Sequence, residues 1–211
     1  MQLDRRAFSA LMLASAHPML GAQPTPKKVF RYAFRVAETG FDPAKISDLY
    51  SRTITPHIFE GLYLYDHLAR PVKVRPLTAV GMPEASDGFK TYIVRIQPGI
   101  YFSDDPAFKG ARRELVAQDY VYSLKRFADP AVKSPAWSTV EEWGMVGMLE
   151  QRKKAMADRT AFDYDQETEG LRAIDRYTIQ FKLKEPRPRL VEELAGSDLF
   201  GAVAREVAEF Y

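Results

Sequence analysis

Two runs decide how this chain folds: Thr91-Tyr92-Ile93-Val94-Arg95-Ile96-Gln97-Pro98-Gly99-Ile100-Tyr101-Phe102-Ser103-Asp104-Asp105, and after a polar stretch Val116-Ala117-Gln118-Asp119-Tyr120-Val121-Tyr122-Ser123-Leu124-Lys125-Arg126-Phe127. Tyr92, Val94 and Ile96 alternate with Ile93 and Arg95, the signature of a strand with one buried face. Pro98-Gly99 is turn punctuation, since Pro presets φ and Gly accepts positive φ. Ile100-Tyr101-Phe102 is a second short strand, expected to return antiparallel to the first. In the second run Ala117, Tyr120, Val121, Leu124 and Phe127 recur at helical spacing. Asp119 in the first turn and Lys125-Arg126 near the end suit the helix dipole. Periodic apolar residues of this kind build a core, and no catalytic chemistry is visible in either run.

Outward from this stretch, Tyr177 to Lys184 alternates throughout and reads as the clearest strand, stopped by Pro186 and Pro188. Lys28 to Val36 alternates loosely and is expected to be the first core strand. Leu49, Ile54, Ile58, Phe59 and Leu62 predict a helix within Ile46 to Leu64, with a kink or late start imposed by Pro56 near Thr55. Leu190 to Phe210 is expected to be helical with a break at Gly196-Ser197. No internal repeat or low-complexity tract is present.

The order of these segments resembles the family 5 extracellular solute-binding proteins of ABC transporters, which include the oligopeptide- and dipeptide-binding proteins. Phe102, Asp104, Ala117, Asp119, Tyr122, Ser123 and Arg126 sit where that family has Phe-x-Asp-Gly and Thr-Ala-x-Asp-Val-x-Tyr-Ser-x-x-Arg. Asp42-Pro43, Phe59-Glu60-Gly61-Leu62 and Asp175 to Leu183 match further segments in the same order. Asp105 replaces the usual Gly, and Asp tolerates left-handed geometry better than most residues. Val116 replaces a Thr that would cap the helix, so the helix start loses a side-chain acceptor. Pro106 to Glu114, with Lys109, Arg112 and Arg113, resembles an inserted surface loop, and Glu150 to Glu169 a second insertion.

The resemblance implies an α/β, type II periplasmic-binding-protein fold, here incomplete. Residues 23–66 would begin lobe one, 67–185 would form an inserted small domain, and 186–211 would return to lobe one. Family members are longer, so the chain reads as an N-terminal fragment. The implied function is capture of an oligopeptide-like solute in the periplasm and its delivery to ABC permease subunits, by a monomer without a cofactor. By analogy the loop Glu38-Thr39-Gly40-Phe41, beyond the carboxyl end of the first expected strand, would line the cleft. Trp137, within Ser134-Pro135-Ala136-Trp137, would stack on the ligand or pack on the small domain.

Composition sets the compartment. The 211 residues carry a net charge of +2, or +1 without residues 1–22, which hold Asp4, Arg5 and Arg6. That near balance gives no pull towards nucleic acid or anionic membrane. Arg5-Arg6-Ala7-Phe8 before an Ala/Leu/Met-rich run over residues 7–20 reads as an export signal of twin-arginine type, with cleavage placed after Ala22. That run is too short to span a bilayer. The chain has no cysteine, which excludes disulfides, thiolate chemistry and a lipid-anchored N-terminal cysteine.

Catalytic and metal signatures are missing. His17, His57 and His67 are the only histidines, with no partner at metal spacing. Glu141-Glu142 and Asp104-Asp105 are sequence neighbours that do not face one another. There is no phosphate loop, nucleophile elbow or dinucleotide fingerprint. Arg152-Lys153-Lys154 lacks the interleaved aromatics of a nucleic-acid site. Two other readings stand beside the receptor: a twin-arginine-exported enzyme that folds around a cofactor, and a truncated remnant that binds nothing.

Overall fold

The computed structural model describes residues 27–211, so the expected export signal lies outside the described residues. The chain divides into two units, the first ending at Phe34 and the second running from Arg35 to Tyr211. In the first, residues 27–34 form neither helix nor strand, and the rings of Phe30 and Tyr32 stack 6.4 Å apart.

The expected strand from Lys28 to Val36 does not form. Val29, Phe30, Tyr32 and Val36 are exposed, and no described strand pairs with them. Alternation alone does not make a strand, which needs neighbours to pair with.

In the second unit the strands and helices follow the order α1 (Leu49–Ile54), β1 (Tyr63–Asp66), β2 (Lys73–Pro76), β3 (Glu84–Ser86), β4 (Thr91–Arg95) and α2 (Ala117–Ala128). Then come α3 (Trp137–Glu142), α4 (Met148–Asp158), β5 (Leu171–Asp175), β6 (Thr178–Lys182), α5 (Leu190–Leu194), α6 (Ser197–Phe200) and α7 (Arg205–Phe210). Single 3₁₀ turns lie at Thr55–His57 and Pro106–Phe108.

The core is a four-stranded antiparallel sheet, β3-β4-β6-β5, with α2 packed across it. Its register sets Tyr92 opposite Phe181 and Val94 opposite Ile179. Residues opposite one another share a face, and all four of these are 2 % exposed or less. Each such side chain stabilises the fold by about 1.5–3 kcal/mol on burial. A Phe181→Ala truncation in this layer therefore costs about 3–5 kcal/mol. The strand and helix expected from the two runs are in place. Both edges of β4 are taken, by β3 and β6, so Ile100 to Phe102 has no free edge to return to. It pairs instead with the segment before α2, through Leu115 N donating to Ile100 O and Phe102 N to Arg113 O.

Two local expectations are corrected. The helix from Ile46 to Leu64 is only α1 and one 3₁₀ turn, with Pro56 inside the turn, and the chain is already in β1 at Tyr63. Leu49 and Ile58 are exposed, so they form no core face. Asp105 is extended (φ −142°) and caps the Pro106–Phe108 turn by accepting from Ala107 N. The left-handed residue is Lys109, φ 52°. The segment from Pro106 to Glu114 lies at the surface, as expected, and Arg113 ties it to Glu206 of α7 at 2.8 Å. The third helical stretch breaks at Gly196, as expected, and again at residues 201–204.

The start of α2 shows how a lost cap is replaced. Val116 offers no side-chain acceptor, but the Asp119 carboxylate accepts from Val116 N at 2.8 Å. This is half of a capping box. Of the helix's residues, all but Gln118 are buried.

Candidate functional site

The loop that the resemblance points to is held by three sets of bonds. Asp48 caps α1, accepting from Ser51 N at 2.8 Å, and also accepts from Thr39 Oγ1 at 2.5 Å. Hydrogen bonds from Ser51 and Thr39 hold the Asp48 carboxyl well below the usual range. Ser51 Oγ, fully buried, accepts from Thr39 N and lies 3.4 Å from Gly40 N. Asp42 then takes both prongs of the Arg126 guanidinium at 2.6 Å each. Burial opposes ionisation of Asp42, but the Arg126 charge and hydrogen bond override it and depress its pKa. On this frame Glu38 and Phe41 stay exposed, while Pro43, Ala44 and Ile46 are buried beneath. A fixed backbone with an exposed aromatic suits contact with a ligand main chain.

Trp137 opens α3 and is half-buried. The Arg152 guanidinium lies 4.9 Å from its ring centroid and donates to Ala128 O at 2.9 Å. One aromatic surface of Trp137 is thus engaged within the chain. It borders a small cavity of about 160 Å³ with Met145, Met148 and Lys184.

A larger cavity, about 520 Å³, opens between three segments: residues 56–60, residues 100–108 and residues 202–207. None of Glu38, Thr39, Gly40, Phe41 or Trp137 lines it. Its walls are fixed from behind by α2. Tyr120 Oη donates to Glu60 O at 2.8 Å and lies 2.7 Å from Thr78 Oγ1, which itself donates to Gly61 O. Burial pushes the Tyr120 hydroxyl pKa up, so it remains a donor at any physiological pH. Ala202 N donates to Glu60 O, and Val203 N to Ser123 Oγ. Two stretches singled out by the resemblance, Phe59-Glu60 and Phe102 to Asp104, therefore meet at one opening. Sequence reasoning missed it because Phe59 and Phe102 look like any core aromatic. The only signal was that both stretches end in a carboxylate beside an apolar run.

Among the described residues no group of three or more His, Cys, Asp or Glu is placed to hold a metal ion. No described helix is long and apolar enough to cross a membrane.

The profile of the bacterial extracellular solute-binding proteins, family 5, matches residues 73–209. The chain belongs to this family. The "Probable deoxycholate-binding periplasmic protein YgiS" of Escherichia coli is 29% identical over 203 residues, 93% of this chain and 34% of that protein. The periplasmic oligopeptide-binding protein OppA of Escherichia coli is 29% identical over 151 residues, 70% of this chain and 23% of that protein. Among solved structures, the pheromone receptor PrgZ superposes with a TM-score of 0.61 at 25% identity, covering 82% of this chain and 30% of that one. OppA of Haemophilus influenzae, in complex with a peptide, gives 0.63 at 22% identity over 82% and 30%. The fold is that of the type II periplasmic binding proteins, of which this family-5 chain holds part. It spans a quarter to a third of the length of these relatives.

Proposed function

We propose that the protein is a periplasmic solute-binding subunit that captures an oligopeptide-like ligand and delivers it to the permease of an ABC transporter. Membership of family 5 carries this reading, together with peptide binding in the names of OppA and in the structure of its Haemophilus relative. In the proposal residues 67–185 are the inserted small domain, flanked by parts of lobe one. Glu38, Thr39, Gly40 and Phe41 face the ligand, and Trp137 approaches it from the small domain. Closure of two lobes signals the loaded state to the permease. The protein acts as a monomer in the periplasm.

The frame around Asp42 supports the placing of the site. A loop pinned by Ser51, Asp48 and Arg126, with its Thr39 and Gly40 N–H groups held by Ser51 Oγ, meets a ligand at little ordering cost.

The match to YgiS over 93% of the chain favours one second reading, an amphipathic acid of the bile-salt type as ligand. Titration with tri- and tetrapeptides and with deoxycholate, in protein purified from its native host, separates the two. The peptide reading expects peptide binding that weakens about tenfold in Phe41→Ala, the loss of one buried aromatic contact. Saturable binding of deoxycholate alone supports the second reading and ends the first.

A further inference from the structure

We propose that the cavity between residues 56–60, 100–108 and 202–207 is a site for a small organic cation, an alkyl- or arylammonium, separate from the loop at Glu38 to Phe41. Its volume of about 520 Å³ lies in the range of small-molecule sites. The walls are apolar, with Phe59, Phe102, Phe108 and Val207 contributing. Three acidic residues, Glu60, Asp104 and Asp105, and one histidine, His57, line the same space, and no lysine or arginine does.

The charge balance selects the ligand. The Asp105 carboxylate is already used, accepting from Ala107 N at 2.8 Å. Among the described residues the Glu60 and Asp104 carboxylates meet no cation within ion-pair distance. Some acids of this unit are paired, as Asp119 is with Arg113 and Glu114 with Arg176. The aromatic rim already attracts cations. Arg112 stacks 4.0 Å from the centroid of Tyr101, and Arg113 lies 5.7 Å from that of Phe102. Phe59 and Phe108 carry no such partner among the described residues. An ammonium on an apolar stem would place its charge on Glu60 and Asp104 and its stem on these rings, joining charge-assisted hydrogen bonds to cation–π attraction. An anion of similar size would meet three carboxylates and is disfavoured. The wall is not free to collapse. Glu60 is tied through its carbonyl to Tyr120 and Ala202, and Gly201 abuts Phe59 so closely that an added Cβ would lie 2.4 Å from the Phe59 Cβ.

The test uses protein purified from its native host and two probes of one shape, phenethylammonium and the neutral 2-phenylethanol, with binding read by NMR titration. Phenethylammonium is expected to bind about tenfold more tightly than the alcohol, the value of one charge-assisted hydrogen bond. Asp104→Asn and Glu60→Gln, which disturb no side-chain partner, are each expected to remove that preference. Peptide affinity in the same variants is expected to stay unchanged, so failure here leaves the peptide reading standing. Equal binding of both probes, binding indifferent to both substitutions, or no binding of phenethylammonium at millimolar concentration would overturn the proposal.

Discussion

Asp42 and Arg126 stand 84 residues apart in sequence and meet in a two-pronged ion pair, with both N–O distances 2.6 Å. Arg126 is 7 % exposed and Asp42 29 %. The cost of breaking the pair is therefore unequal. Asp42→Ala strands a nearly buried guanidinium and is expected to lower unfolding free energy by about 3 kcal/mol. Arg126→Leu leaves a carboxylate that water still reaches and should cost less. Urea midpoints at unchanged slope would establish the order.

The same pair gives a signed pH dependence. The folded pKa of Asp42 lies below its ordinary value of 3.8. A depressed carboxylate contributes stability that is fully present above the unfolded value and is lost as pH falls through the folded one. The stability gap between wild type and Asp42→Asn should hold constant from pH 7 to about 5 and narrow below the ordinary value. Denaturation at several pH values reads this directly. A gap that widens on acidification would contradict the assignment.

Arg113 serves two carboxylates of different worth. Asp119, 3 % exposed, accepts from Nη2 at 2.6 Å, whereas Glu206 is 45 % exposed. Burial raises the Asp119 pKa despite the guanidinium, so losing Arg113 removes its main counter-charge. Arg113→Ala is expected to cost about 3 kcal/mol, as for a buried partner removed. Glu206→Ala should cost under about 1 kcal/mol. Thermal melts of the two variants compare them.

Gly170 is needed for space rather than for dihedral freedom. A Cβ there would lie 2.1 Å from Val146 N, where the chain passes between β5 and the turn before α4. Gly170→Ala is expected to destabilise by about 1–3 kcal/mol, the usual cost of overpacking. At Gly40 a Cβ meets nothing within 4 Å. Gly40→Ala should stay within about 0.5 kcal/mol in stability, which makes it a clean probe of ligand approach.

What was legible in the sequence follows the range of the interaction that fixes each element. β4, β6 and α2 rest on local periodicity, and Tyr92, Val94, Ile179, Phe181 and Leu124 are buried as their spacing requires. β5 was invisible because Arg172, Asp175 and a bulge between Ala173 and Asp175 break its alternation, and it is held by β6 rather than by its own pattern. The segment from Lys28 to Val36 shows the reverse case, where alternation exists and, among the described residues, no strand pairs with it. Lys125 and Arg126 looked like dipole-matched surface charges, yet both are buried: Lys125 donates to the carbonyls of Tyr164 and Gln166, and Arg126 to Asp42. Such long-range partners leave no local trace. The same holds for the large cavity, whose three walls come from segments that only the tertiary fold brings together.

The most direct test of the central proposal is a thermal melt of protein purified from its native host, with and without a panel of di- to pentapeptides. Peptide binding predicts a saturable rise in melting temperature, equivalent to about 2.7 kcal/mol at a hundredfold excess over Kd. A melting temperature indifferent to every peptide, with or without a response to deoxycholate, would contradict it.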